Sequence, residues 1–241
     1  MSTPPATNTA TTTTPPGDQV DLVTAITVAL GAPGTGVTVL VGDDRDILSV
    51  VRARGRVVVV GADVRAATDA LPLRDGAAEA LVAVHALREV DDVDAAIAGF
   101  ARVVGAGGRV VIAANALAHR RELRGLWATA ARDCGVVDPP PLLDTDERFS
   151  LDHAQAWLRR HLTDVTVTPV RGTTVLDTAQ ALALLRAERP VDAGVTWDLL
   201  ASVVESRVRD AVADRGGFTL STLTGIATGV VAAKGGSAPT K

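Results

Sequence analysis

Residues 71–90 read LPLRDGAAEALVAVHALREV, and residues 102–112 read RVVGAGGRVVI. Pro72, Asp75 and Gly76 are turn formers, and the apolar run at 80–84 behind them has the length of a buried strand. A loop at 85–92, rich in polar residues, then leads into an amphipathic helix. Glycines at 105–108 mark a turn, and 109–113 is a second buried strand. Strand, helix and strand in that order form a crossover, and crossovers build parallel sheets. The expectation for the whole chain is an α/β fold, a doubly wound Rossmann-like and mostly parallel sheet with helices on both faces.

Working outward, 1–17 is Thr, Pro, Ala and Asn with little to bury, so it reads as a disordered tail. Residues 18–234 form the expected domain and 235–241 a frayed C-terminal tail. Asp18 is placed to cap a helix over 19–30. Val37–Val41 and Arg56–Val60 are short apolar runs between turn signals and read as strands, with a helix between them capped by Asp44 or Asp46. Further helices are expected at 119–134, 150–160, 178–187 and 197–212, with a loop at 139–141 and a break at Pro190 and Gly194. Strands are expected at 165–170, 218–223 and 226–232, the last two parted at Gly225.

Composition narrows the function. Of 241 residues, 47% are hydrophobic but only 2% aromatic, so the core must be Ala, Val and Leu. A net charge of −4 and few aromatic rings argue against a nucleic-acid surface. A single cysteine, Cys134, excludes an internal disulfide and a cysteine-based zinc site, and no metal is expected. The chain has neither an apolar run long enough to span a membrane nor a signal-peptide pattern, so a soluble cytoplasmic protein is expected. The nucleophile-elbow and P-loop patterns are missing too, which argues against a hydrolase or a nucleotide triphosphatase of those kinds.

The two quoted stretches resemble the carboxyl half of the class I S-adenosylmethionine-dependent methyltransferase family, of the type 11 kind. In that family a phrase such as LPFPDGSFD leads into the fourth strand and RVLRPGGRLVI into the fifth. The resemblance implies methyl transfer from S-adenosylmethionine to a small molecule. It carries two further readings: a pseudo-methyltransferase serving as a regulatory or partner-binding module, and a cofactor-independent cyclase or isomerase reusing the cleft. The partner is then a small-molecule substrate or another protein, with no nucleic acid and no membrane.

Carried over residue by residue, the resemblance assigns Gly42 and Asp43 to the cofactor loop, Asp63 to the cofactor ribose and Asp69 to the neighbourhood of the adenine. His85 takes the place of the first His of the family phrase SHVLEH, as general base or polar contact, and Glu89 that of the second. The plainer reading of His85 is a half-buried ring with one nitrogen bonded to a backbone carbonyl, and Asp63 suits an ordinary turn equally. Asn115, after the fifth family strand, is a further candidate for the cleft wall.

Two departures from the family stand out. The chain offers Gly42-Asp43-Asp44-Arg45-Asp46 where the family has a GxGxG loop, and only 41–71 where the family uses two strand–helix units, so the fold is expected to be shortened in its N-terminal half. Carboxylates where the cofactor's own carboxylate sits predict weak S-adenosylmethionine binding. A plainer role for the same aspartates is to cap a helix start.

Overall fold

A computed structural model describes residues 21–42, 44–61, 66–88, 90–136, 149–187 and 195–233. The tails expected at 1–17 and 235–241, the cap at Asp18, the loop at 139–141 and the break at Pro190 and Gly194 lie outside them. So do Asp43, Asp63 and Glu89.

In chain order the elements are α1 (Leu22–Leu30), β1 (Val37–Val41), α2 (Arg45–Ala53), β2 (Arg56–Val60), β3 (Ala78–Val84), α3 (Val93–Val103) and β4 (Val104–Asn115). Then come α4 (Arg121–Asp133), α5 (Leu151–Leu158), β5 (Thr163–Leu176), α6 (Thr178–Ala187), α7 (Val195–Arg215) and β6 (Phe218–Val230). The strands make one six-stranded sheet in the order β2-β1-β3-β4-β6-β5. β1 pairs in parallel with β2 and β3, β3 in parallel with β4, and β6 runs antiparallel to β4. The mostly parallel α/β sheet is therefore present, and among the described residues a single strand, β2, flanks β1 on its outer side.

The valine runs have side chains on both faces, as a doubly covered parallel sheet requires. Val39, Val41, Leu81, Ala83, Val110 and Ile112 point into one core, closed by Ala96, Ile97 and Phe100 of α3 and by Ala154 and Leu158 of α5. Leu40, Val82, Val84, Val111 and Ala113, one residue out of phase, point into the other, closed by Ile26 of α1 and by Ile47 and Val51 of α2. That alternation is the period-two geometry of a strand.

The chain divides into two compact units, and the sheet's parallel strands belong to the described part of Val20–Leu117, Glu147–Val170 and Leu223–Lys241. The other unit holds α4, α6 and α7. Its core is Leu123, Leu200, Val204 and Val208 around Trp127 and Trp197, whose rings stack at 4.2 Å between centroids.

The paired motifs that decide the fold are joined by Arg102. Its guanidinium donates to the carbonyls of Leu73 at 2.6 Å and Leu71 at 2.8 Å, and to the Asp75 carboxylate at 3.0 Å. Its own carbonyl accepts from Gly76 N–H at 3.0 Å. The LPLRDG turn and the RVVGAGG segment thus recur together because one arginine at the end of α3 holds the turn that starts β3. Arg102→Ala is expected to cost about 1–2 kcal/mol in urea unfolding, a charge-assisted set discounted for its partial exposure. An unchanged unfolding midpoint would contradict that role.

Several boundaries correct the sequence reading. The glycine turn expected at 105–108 is an excursion inside β4, which starts directly after α3. Ala78 faces Val104 and Ala80 faces Arg109, so the extra residues bulge out. A Cβ on Gly108 would lie 2.4 Å from the Glu79 carbonyl oxygen, so the bulge folds over β3 only with glycine there. β5 runs to Leu176 through Pro169, which an edge strand tolerates. β6 is continuous, with Gly225 paired to Ala114. α1 is capped by Asp21, whose carboxylate accepts from Thr24 N–H at 2.6 Å. Ser150 occupies the start of α5 without capping it, its Oγ lying instead 3.2 Å from His153 Nδ1.

Candidate functional site

β1 ends at Val41 and the chain turns at Gly42 with φ 123°, a conformation that glycine adopts readily and side-chain-bearing residues rarely do. A Cβ there would also meet the carbonyl oxygen of Val84 at 2.8 Å, because the carboxyl ends of β1 and β3 converge at this point. The turn feeds α2, whose N-cap is Asp44. The Asp44 carboxylate accepts from the N–H groups of Asp46 and Ile47, each at 3.0 Å. The capping role is therefore satisfied within the chain, and two N–H groups of the helix start are already engaged.

Beside this turn lies a cleft of about 710 Å³ at the carboxyl ends of β1, β2 and β3. Val41, Val60 and Val84 supply strand ends, α2 contributes Arg45 and Leu48, and Thr68 and His85 add polar atoms. Open α/β sheets place their ligands at this end of the strands, because side chains and loops there are free of sheet pairing. A second cavity of about 510 Å³ shares Thr68 and His85 with the first and is bordered also by Asp69, Arg88 and Asp91. Asn115 and Phe149 border a small space that again includes His85.

Gly42 and His85 thus line one cleft. Asp69 lies on the adjoining cavity, and Asn115 meets His85 only in the small third space. Sequence reading did not pick out Arg45, Thr68 or Arg88 as wall residues. Their signal was adjacency alone: Arg45 opens the helix after the glycine turn, and Thr68 precedes Asp69.

His85 is unusual in two ways. It has φ 51° although it is not glycine, a left-handed conformation held by its N–H donating to the Ala113 carbonyl at 3.0 Å. Strained backbone of this kind concentrates at functional sites. The residue has an exposed face, and its ring makes no hydrogen bond among the described residues. The protein packed around it nevertheless pushes its pKa below the usual 6.5, with Asp44 pulling upward and Arg88 adding to the decrease. The imidazole is neutral at pH 7.

The sign for stability follows from proton uptake. Between the lowered native value and the ordinary one, the unfolded chain holds more of the proton. His85 therefore contributes stability that is present above about pH 6.5 and is lost as pH falls through the native pKa. A ring-resonance titration should give a midpoint below 6.5, moving lower still in Asp44→Asn. A midpoint at or above the ordinary value would contradict the packing described.

A family model described as a methyltransferase domain matches residues 41–112, the stretch from the end of β1 into β4. No curated protein matches the chain significantly. Among solved structures, a protein of Anabaena variabilis provisionally named as a methyltransferase from an antibiotic biosynthesis pathway is 16% identical. It has a TM-score of 0.56, with 87% of this chain and 96% of that one covered. A Bacillus halodurans protein, also provisionally named a methyltransferase, is 8% identical with a TM-score of 0.56, covering 88% of this chain and 99% of that one. The YcgJ protein of Bacillus subtilis is 11% identical with a TM-score of 0.53, covering 88% and 98%. At these identities the likeness is one of fold. The family model thus covers residues 41–112 of the 241, and what the solved structures share with the chain is the Rossmann-like, mostly parallel sheet of the class I methyltransferase fold.

Proposed function

We propose that the chain is a methyltransferase-like protein whose cleft takes a nucleoside-sized small molecule and binds S-adenosylmethionine only weakly. The cleft volume of about 710 Å³ lies within the range of small-molecule sites. The body of the cofactor fits such a space, and Asp63 and Asp69 are the residues we assign to its ribose and adenine ends from the family resemblance. Its aminocarboxylate end does not fit. The observation that carries this reading is the Asp44 carboxylate on the N–H groups of Asp46 and Ile47. In the family those groups at the helix start face the cofactor's anionic end. Here a carboxylate of the chain already occupies them and adds like charge.

A second reading, methyl transfer to a small molecule, is favoured by His85. A neutral imidazole in a strained conformation, on the rim shared by two cavities, has the protonation state of a general base. It would accept the proton of a hydroxyl or amine acceptor lodged in the cavity beside Asp69 and Arg88. Calorimetric titration with S-adenosylmethionine separates the two readings. A dissociation constant weaker than about 100 µM, or −5.5 kcal/mol, supports the first. Low-micromolar binding supports the second.

A further inference from the structure

We propose that the open edge of β2 docks an extended, acidic segment of a partner protein, which adds a strand to the sheet beside Arg56–Val60. β2 ends the sheet on one side, and among the described strands β1 is its one neighbour. An edge strand presents a row of backbone N–H and C=O groups outward, and a further extended chain can pair with them.

The two edges of the sheet are built differently. β5, at the other edge, carries Asp164, Pro169, Arg171 and Gly172. Charge, proline and glycine within a strand all discourage another chain from pairing with it. β2 has four consecutive valines after Arg56 and none of these guards among them. Val57 and Val58 are only half-buried, so the edge offers apolar side chains as well as backbone groups.

Charge selects the partner. Arg52 and Arg54 at the end of α2 and Arg56 at the start of β2 gather at the amino end of this edge. None of the three is ion-paired among the described residues. Arg54 donates to the Gly31 carbonyl, which leaves its positive charge uncompensated. A strand bearing carboxylates finds guanidinium partners here in fork geometry, and opposite charges on neighbouring strands stabilise the pairing. A second copy of this chain would bring the same three arginines, so like charges oppose it. Backbone pairing supplies the affinity, and the arginines supply the choice.

The test measures fluorescence anisotropy of a labelled peptide of alternating glutamate and valine, titrated with the full chain, against a lysine–valine control. The acidic peptide should bind at least about tenfold tighter than the basic one. Arg52→Glu combined with Arg56→Glu, both at exposed positions, should abolish or reverse that preference. Hydrogen exchange on the native complex separates strand addition from diffuse charge attraction. The acidic peptide should slow exchange along β2 and leave β5 unchanged. An acidic peptide that binds no better than the basic one overturns the proposal. So does a preference that survives the double variant or comes without protection of β2. A native chain that sediments as a dimer with β2 protected also overturns it, because a second copy then fills the edge.

Discussion

Replacing Phe100 with alanine is expected to lower the unfolding free energy by about 3–5 kcal/mol. Phe100 has no exposed surface and stands on α3, where the helix meets β3 and β4 over the core that holds Leu81, Val110 and Ile112. Aromatics are only 2% of the chain, so neighbouring Ala and Val side chains cannot collapse into the volume left by a ring. The same helix carries Arg102, so the variant also loosens the anchor of the LPLRDG turn. Phe100→Leu keeps most of the volume and should cost less than about 1.5 kcal/mol. Urea unfolding followed by circular dichroism reads both. A loss below about 1 kcal/mol for Phe100→Ala would contradict the core assigned here.

The largest expected change in binding comes from Asp43→Gly together with Asp44→Gly. Two like unit charges about 4 Å apart repel by about 4 kcal/mol at an effective dielectric of 20, roughly a thousandfold in affinity. That figure is an upper bound, because Asp44 is only half-buried and shares its charge with two N–H groups. At least about tenfold tighter S-adenosylmethionine binding is expected from removing the charge, freeing the helix N–H groups and restoring room for the ligand. Glycine in place of an N-cap aspartate costs only a few tenths of a kcal/mol, so the fold should persist. Calorimetry on the double variant reads the gain. Unchanged or weaker binding would contradict the repulsion argument.

Local patterns carried much of the architecture into the sequence. Val37 and Arg56 start their strands where the valine runs begin, and Thr178–Ala187 is the helix its periodicity marks. What local pattern could not carry is contact across the chain. Glycines at 105–108 read as a turn, but the bulge exists because β4 must fold over Glu79 while keeping its pairing with β3. The strand expected at 165–170 already contains Pro169, and β5 runs on through it to Leu176 because it lies at the sheet edge, where a missing N–H costs little.

The same division holds at the site. The family resemblance pointed to Gly42 and His85, which line one cleft. Asp69 stands just before the LPL turn in sequence and lies on the neighbouring cavity. The left-handed backbone of His85 has no residue-type signature, because it arises from the bond between its N–H and Ala113 on β4. The cleft position of Arg45 likewise depends on how α2 packs against β1 and β2.

The central claim is that this methyltransferase-like cleft has lost the aminocarboxylate end of the cofactor site. Calorimetric titration of the native protein with S-adenosylmethionine tests it most directly, with S-adenosylhomocysteine as the sulfonium-free control. The account predicts dissociation constants weaker than about 100 µM for both ligands. Binding in the low micromolar range would contradict it.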